Sequence, residues 1–394
     1  MTSAAMLKPD HTAPRRYDLF TDDHDDLRAS IKRFVAAELT PHIDEWEDTG
    51  FPDSVFTRLG ECGFLGLDKP EEYGGQGGDF LSELILCEEL YYGANGGLAM
   101  GVGVQVDMAM PPILAFGSEE QKQQWAVPAI AGSKLLCLGI SEPNAGSDVA
   151  AIKTRAVRDG GDWVINGTKT YITNGIRADA IVLVTKTDPD AGHNGFTLFL
   201  VPMDTPGVTR SKRLEKLGMH ASDTALITFE DVRVPESMVL GEVGRGFQQI
   251  MWELQGERLS GCAGNIAAAQ RAFDLTLEYV KTRETFGKPL GRHQALRHRF
   301  AEMAIKLEAG RELTYATARR MVAGEYPVRE VSMAKVFTCR AANEVADECI
   351  QLHGGAGYMR EYGIERLWRD IRLSRIGGGT DEIMLEVVGK SFGL

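Results

Sequence analysis

The stretch Gly246–Arg283, GFQQIMWELQGERLSGCAGNIAAAQRAFDLTLEYVKTR, contains no proline, and its reading decides the fold. A run of that length without a breaker predicts one long helix. Pro289 separates it from a second helix expected near 294–323, and Pro327 separates that from a third near 329–353. A short helix fits 361–374. A last one follows Thr380, an N-cap with Asp381 and Glu382 behind it. Long helices joined by short links pack antiparallel, so residues 245–394 read as an up-down four-helix bundle domain.

Upstream of the bundle the helical period disappears. Trp163-Val164-Ile165 and Lys169-Thr170-Tyr171-Ile172 flank Asn166-Gly167, which predicts a hairpin turn. Ala180–Thr187, Phe196–Val201 and Ala225–Phe229 are rich in β-branched and aromatic residues. Residues 135–244 therefore read as a middle antiparallel β-barrel or sandwich domain. Residues 1–134 read as an N-terminal α-helical domain. Thr21 caps a helix carrying Leu27, Ile31, Phe34, Val35 and Leu39 until Pro41, and further helices are expected at 53–62, 80–92, 95–116 and 119–131. The fold class is α+β multidomain.

Composition narrows the function. Lys+Arg total 43 against 56 Asp+Glu, a net charge of −13, with no basic run. That argues against nucleic acid and anionic membranes as partners. Apolar stretches such as Leu135–Ile140 and Ala180–Val184 fall far short of a membrane span. The opening MTSAAMLKPDHTAPRR lacks an apolar core, so it reads as a tail rather than a secretory signal. Six scattered cysteines without a C-x-x-C pair predict buried free thiols in a reducing cytoplasm. G-x-G-x-x-G, the P-loop, H-E-x-x-H and G-x-S-x-G are all missing, so a Rossmann site has no support.

Four segments carry polar chemistry. Cys137–Asp148 (CLGISEPNAGSD) joins the first domain to the second and suits cradling a polar ligand edge. Tyr171-Ile172-Thr173-Asn174-Gly175 offers an aromatic face beside a hydroxyl. Arg283–Pro289 (RETFGKP) and Gln351–Tyr358 (QLHGGAGY) each end a long helix. In this order and layout, with Phe229–Pro235 (FEDVRVP) and Ile376–Ile383 (IGGGTDEI), they resemble the acyl-CoA dehydrogenase family over nearly the whole chain.

The resemblance implies a flavoenzyme with FAD extended between the β domain and the bundle. Leu138, Ile140, Ser141, Gly146 and Ser147 are then expected flavin contacts, with Tyr171, Ile172 and Thr173 packing on the isoalloxazine ring. Arg283, Phe286, Gln294, Gln351, Gly354 and Gly355 would reach a neighbouring subunit's FAD. Thr380 and Glu382 would lie near its phosphates or adenosine portion. The same resemblance implies a homotetramer, a dimer of dimers. Ser147, Leu254, Gln255, Arg258, Gly377 and Gly378 are the expected substrate contacts.

Oxidising an acyl-CoA removes an α-proton and a β-hydride, which requires a carboxylate base in a dry pocket opposite a hydride acceptor. Most of the family carries that base two residues before a Thr in the C-terminal loop. Here the position is Gly378, which cannot take a proton. The long-chain and isovaleryl branches supply it from a bundle helix, one residue before an Arg. Glu257-Arg258 stands there, so Glu257 is the expected base, with Glu253 a weaker candidate and Glu142 structural. Gly378 is expected to donate its N–H to the thioester oxygen.

Small, apolar, Met-rich Gly96–Pro112 resembles the region that shapes the family's acyl cavity, suggesting a long or methyl-branched chain. Gln105-Val106-Asp107-Met108 with the Gly-Gly-Gly-Thr loop is most similar to citronellyl-CoA-type and long-chain members. The expected function is dehydrogenation to the trans-2-enoyl-CoA, electrons passing to an electron-transfer flavoprotein. Alternatives are an oxidase using O₂ and an inactive acyl-CoA- or FAD-binding protein.

Overall fold

The computed structural model describes residues 17–394. The tail of residues 1–16 lies outside the described residues. Thr21 caps α1 (Asp22–Phe34) through a capping box with His24. Asp79 caps α2 (Phe80–Gly93) by accepting from the amides of Leu81 and Ser82, and Asn95 caps α3 (Gly96–Gly103). Behind α3 the helix continues as a π turn over Val104–Ala109 and then α-helix to Phe116. By length and composition Gly96–Phe116 is long and apolar enough to cross a bilayer. Most of it is buried within the protein, as in a core helix.

The middle domain is one mixed sheet of β1 (Leu136–Gly139), β2 (Arg155–Asp159), β3 (Asp162–Thr173), β4 (Ala180–Lys186), β5 (Phe196–Pro202), β6 (Val208–Arg210), β7 (Thr224–Pro235) and β8 (Val239–Leu240). Its order is β6-β7-β3-β2-β4-β5-β8, with β1 also on β4. The pairings of β1 and β2 with β4 are parallel, where an all-antiparallel domain was expected. The Asn166-Gly167 hairpin is also corrected. Both residues lie inside β3, at a bulge between Ile165 and Gly167, and the turn is at Gly160-Gly161. Gly167 is needed for close approach, since a Cβ there would sit 2.5 Å from the Thr154 Cα.

β4 explains the layering. Its side chains alternate, and both faces are buried. Ala180, Val182 and Val184 pack toward Met110, Ile113 and Trp125 of the first domain. Ile181 and Leu183 pack toward Phe199 and Phe229.

The bundle consists of α4 (Gly246–Thr282), α5 (Gln294–Val322), α6 (Val328–His353), α7 (Ile364–Ile371) and α8 (Asp381–Lys390), the last capped by Thr380. Arg311 bonds Gln270 while Phe300 meets Phe273, so α5 runs against α4. Asn265 meets Cys339 and Tyr279 meets His353, so α6 runs with α4. All six cysteines are free, and Cys62 is exposed rather than buried.

Asp370 of α7 ties the three domains together. One carboxylate oxygen accepts from the Gly96 amide at 3.1 Å, and the other accepts from the Met219 amide. Burial, with Glu47 nearby, pushes this carboxyl up to about 6. Asp370→Ala strips two buried amides of their acceptor, at about 1–3 kcal/mol each, offset by relief of the buried charge. A loss of about 2–4 kcal/mol is expected. It should appear as a lower denaturant midpoint, and an unmoved midpoint would count against this junction.

Candidate active site

α4 places Glu253, Glu257 and Gly261 on one helical stripe. Two of them face a cavity of about 1320 Å³ where the three domains meet. Glu257 and Gly261 line it, together with Leu254, Gln255 and Arg258. Glu253 is fully buried, does not line it, and leaves both carboxylate oxygens without a hydrogen bond. Burial, with Glu257 nearby, raises its carboxyl well above the usual range.

Across the cavity lies the loop after α7. Gly378 and Gly379 are consecutive left-handed residues, at φ 63° and 104°. A Cβ on Gly378 would sit 3.0 Å from Glu257 Oε1 and 3.4 Å from Lys335 Cε. The Glu257 carboxylate therefore borders the volume that a side chain at 378 would enter. Arg258 Nε donates to the Gly378 carbonyl at 2.8 Å, and Lys335 Nζ donates to the Gly379 carbonyl at 2.6 Å. Burial raises the Glu257 pKa, while Arg258 and Lys335 pull it back down.

The β domain supplies a third wall. Leu138, Ile140, Ser141, Gly146 and Ser147 line the cavity, as do Tyr171, Ile172 and Thr173. Glu142 holds this loop in place. It accepts from the Thr154 amide and the buried Lys169 ammonium, each at 2.9 Å, and Lys169 also donates to the Ile140 carbonyl. Tyr171 lies at the second β3 bulge in a left-handed conformation, φ 61°, with 73% of its surface exposed. Few non-glycine residues adopt that backbone, and here it delivers a bare aromatic face to the cavity. Gly377, Gly378 and Thr380 complete this group.

The remaining expected site residues lie elsewhere in the chain. Arg283, Gln351, Gly354 and Gly355 line a separate depression of about 500 Å³ with Tyr279 and His353. Phe286 tips the small hairpin beside it, 97% exposed. Gln294 and Glu382 are exposed at the first turns of α5 and α8 and line neither space. Several cavity residues escaped the sequence reading. Lys335 is a buried lysine within an apolar stretch of α6, which is itself a signal. Glu83, His193, Lys216, Arg369 and Arg372 also line the cavity. They come from four different parts of the chain, and only the fold assembles them.

This architecture is that of a known class. The chain matches the acyl-CoA dehydrogenase N-terminal domain over residues 21–133, the middle domain over 137–232 and the C-terminal domain over 244–393. It is 37% identical over 375 residues to the long-chain specific mitochondrial acyl-CoA dehydrogenase of Sus scrofa, spanning 94% of this chain and 87% of that protein. It is 39% identical over 380 residues to the short-chain specific mitochondrial enzyme of Rattus norvegicus, spanning 96% and 92%. The crystal structure of an acyl-CoA dehydrogenase from Geobacillus kaustophilus superposes with a TM-score of 0.93 at 42% identity, over 97% of this chain and 100% of that one. The chain belongs to the acyl-CoA dehydrogenase family, and it is an acyl-CoA dehydrogenase oxidoreductase. Long-chain and short-chain relatives lie at nearly equal identity, so these figures do not rank chain length.

The raised Glu257 carboxyl has a consequence for pH. If it serves as the base it works only when ionised, and kcat/KM is then expected to rise with pH through an acid limb above the ordinary carboxylate range. Lys335→Met removes a cation that lowers this pKa and should move the limb to higher pH. A limb that stays in place in that variant would contradict the coupling.

Proposed function

We propose that the chain is an FAD-dependent enzyme that converts a long or methyl-branched acyl-CoA to its trans-2-enoyl-CoA and passes the electrons to an electron-transfer flavoprotein. The observation that carries this reading is the Glu257 carboxylate, held in a three-walled cavity against the empty side-chain position of Gly378.

The residues fit FAD. Tyr171 offers a flat aromatic face, and Ser141, Ser147 and Thr173 offer hydroxyls beside it. Nothing stands within 4 Å of a Cβ placed on Gly146, which leaves room for a ligand against the loop backbone. A related glutaryl-CoA dehydrogenase of Mycobacterium smegmatis, 34% identical with a TM-score of 0.90, was solved with FADH₂. Bound here, FAD would supply the acceptor for the β-hydride.

The rest of the chemistry falls to the chain. Glu257 takes the α-proton as the thioester's α-carbon develops charge. Burial makes the carboxylate a stronger base, while Arg258 and Lys335 oppose that rise. Arg258 and Lys335 also hold the loop carbonyls of 378 and 379, which fixes the Gly378 amide for donation to the thioester oxygen. Leu254, Gln255 and Gly377 bound the same space. Ala99, Met100 and Gly103 of α3 leave width for the acyl chain.

Arg283, Phe286, Gln294, Gln351, Gly354 and Gly355 are assigned to a second subunit's FAD in a homotetramer, with Thr380 and Glu382 toward the cofactor's polar half. An aromatic ring as exposed as Phe286 supports a partner there. The mostly buried free thiols suit a reducing cytoplasm.

The test is anaerobic. Long and methyl-branched acyl-CoAs should bleach the flavin and yield enoyl-CoA, and the reduced protein should recover its colour with electron-transfer flavoprotein. Glu257→Gln should retain FAD and lose bleaching rate by about 10²–10⁴-fold. Normal turnover in that variant would remove Glu257 from the role of base.

A further inference from the structure

The cavity wall between α2 and α3 is not the plain hydrocarbon surface that a fatty chain needs. Two carboxyl groups line it, Glu83 from α2 and Asp107 from the π turn after α3. Glu83 is only 2% exposed, and its Oε2 has no hydrogen bond. Lys69 Nζ forms an ion pair with that oxygen at 3.6 Å, and also pairs with Asp68. Asp107 is hydrogen-bonded to Glu83 and accepts from Ser260 Oγ at 3.4 Å through Oδ1. Its Oδ2 lies beside Gly103, where a Cβ would be 3.5 Å away. Ser260 is three residues beyond Glu257, so this polar wall begins about 5 Å further along α4 than the base.

The surroundings shift both carboxyls in the same direction. Burial pushes Glu83 well above the usual carboxylate range, with Asp107 and Asp68 adding to the rise and the buried Lys69 opposing it. Burial pushes Asp107 up to about 7. The two carboxyls bond each other, so what the pair offers the cavity is an acceptor, the Asp107 Oδ2 beside Gly103. Laying a methylene chain over Asp107 would desolvate that acceptor without giving it a donor. A protonated amine would gain an acceptor but meet the Lys69 charge behind it. A hydroxyl donates to that acceptor without bringing a second charge into the pocket.

Resting on the dehydrogenase reading above, we propose that Glu83 and Asp107 form a specificity subsite for a hydroxyl group carried by the acyl chain. The preferred substrate is then a hydroxylated acyl-CoA with the hydroxyl well beyond the β-carbon. Asp107 is its direct contact, and Glu83 orients it.

The experiment compares ω-hydroxyacyl-CoAs of graded length with the matched unsubstituted acyl-CoAs, on the FAD-loaded protein and on Asp107→Leu and Asp107→Asn. The wild type should favour the hydroxylated member at its best length by at least about tenfold in kcat/KM. Asp107→Leu should reverse that preference, with Asp107→Asn between the two. Equilibrium binding of the same pairs, by calorimetry, gives a second ratio that does not depend on turnover. If neither series bleaches the flavin, the dehydrogenase reading fails, and the binding ratio still decides the subsite. A wild-type ratio near or below one in both measurements overturns the subsite and leaves the pair to hold an ordered water. A preference that survives Asp107→Leu overturns it as well.

Discussion

The Glu257 carboxylate and the side chain missing from Gly378 compete for one small volume. Only 3.0 Å separates Glu257 Oε1 from where a Cβ at 378 would stand. Real Cβ contacts are rarely that tight, so a side chain on the loop would press on the Glu257 carboxylate and push it aside. The left-handed backbone at 378 and 379 completes the arrangement, because it favours glycine for conformational reasons too. The rest of the site is built around that pairing. Arg258 and Lys335 grip the loop by its carbonyls and at the same time face the carboxylate electrostatically.

Those roles depend on the three domains staying in register. Glu257 sits on α4, Lys335 on α6, Tyr171 on β3 and Asp107 after α3, so no single domain holds the site. Asp370 and the close glycine contacts around it fix the junction. A Cβ on Gly97 would meet the amides of Ala221 and Ser222 at 2.8 Å, and one on Gly218 would meet the Arg369 carbonyl carbon at 2.5 Å. Backbone packed this closely behaves as a rigid block. That rigidity keeps Glu257 facing the loop across the cavity.

Much of this was legible in the sequence where the signal was local. Thr21 and Thr380 cap the helices that they precede, and proline-free runs became α4, α5 and α6. Asn166-Gly167 misled because the dipeptide reads as a turn wherever hydrophobic residues flank it. In the fold, the approach of Thr154 made it a bulge in a longer strand, and the turn fell to Gly160-Gly161. Two parallel pairings on β4 were invisible because parallel neighbours are distant in sequence and leave no short-range mark. The site divides in the same way. Residues in contiguous motifs, such as Ser141 and Thr173, were found together. Lys335, Glu83 and Arg369 were not, since each is one residue on a helix whose inward direction is set by tertiary packing. Burial of a charged residue among apolar neighbours was the one available hint, and for Lys335 it was present.

The central claim concerns a proton, so the most direct measurement follows the proton alone. A 3-thiaacyl-CoA replaces the β-carbon with sulfur and cannot be oxidised, yet keeps an acidic α-C–H. Exchange of that hydrogen with D₂O, followed by mass spectrometry on the FAD-loaded protein, isolates abstraction from hydride transfer. The account predicts rapid exchange in the wild type and a loss of about 10²–10⁴-fold in Glu257→Gln at equal ligand occupancy. Equal exchange rates in the two proteins would contradict it.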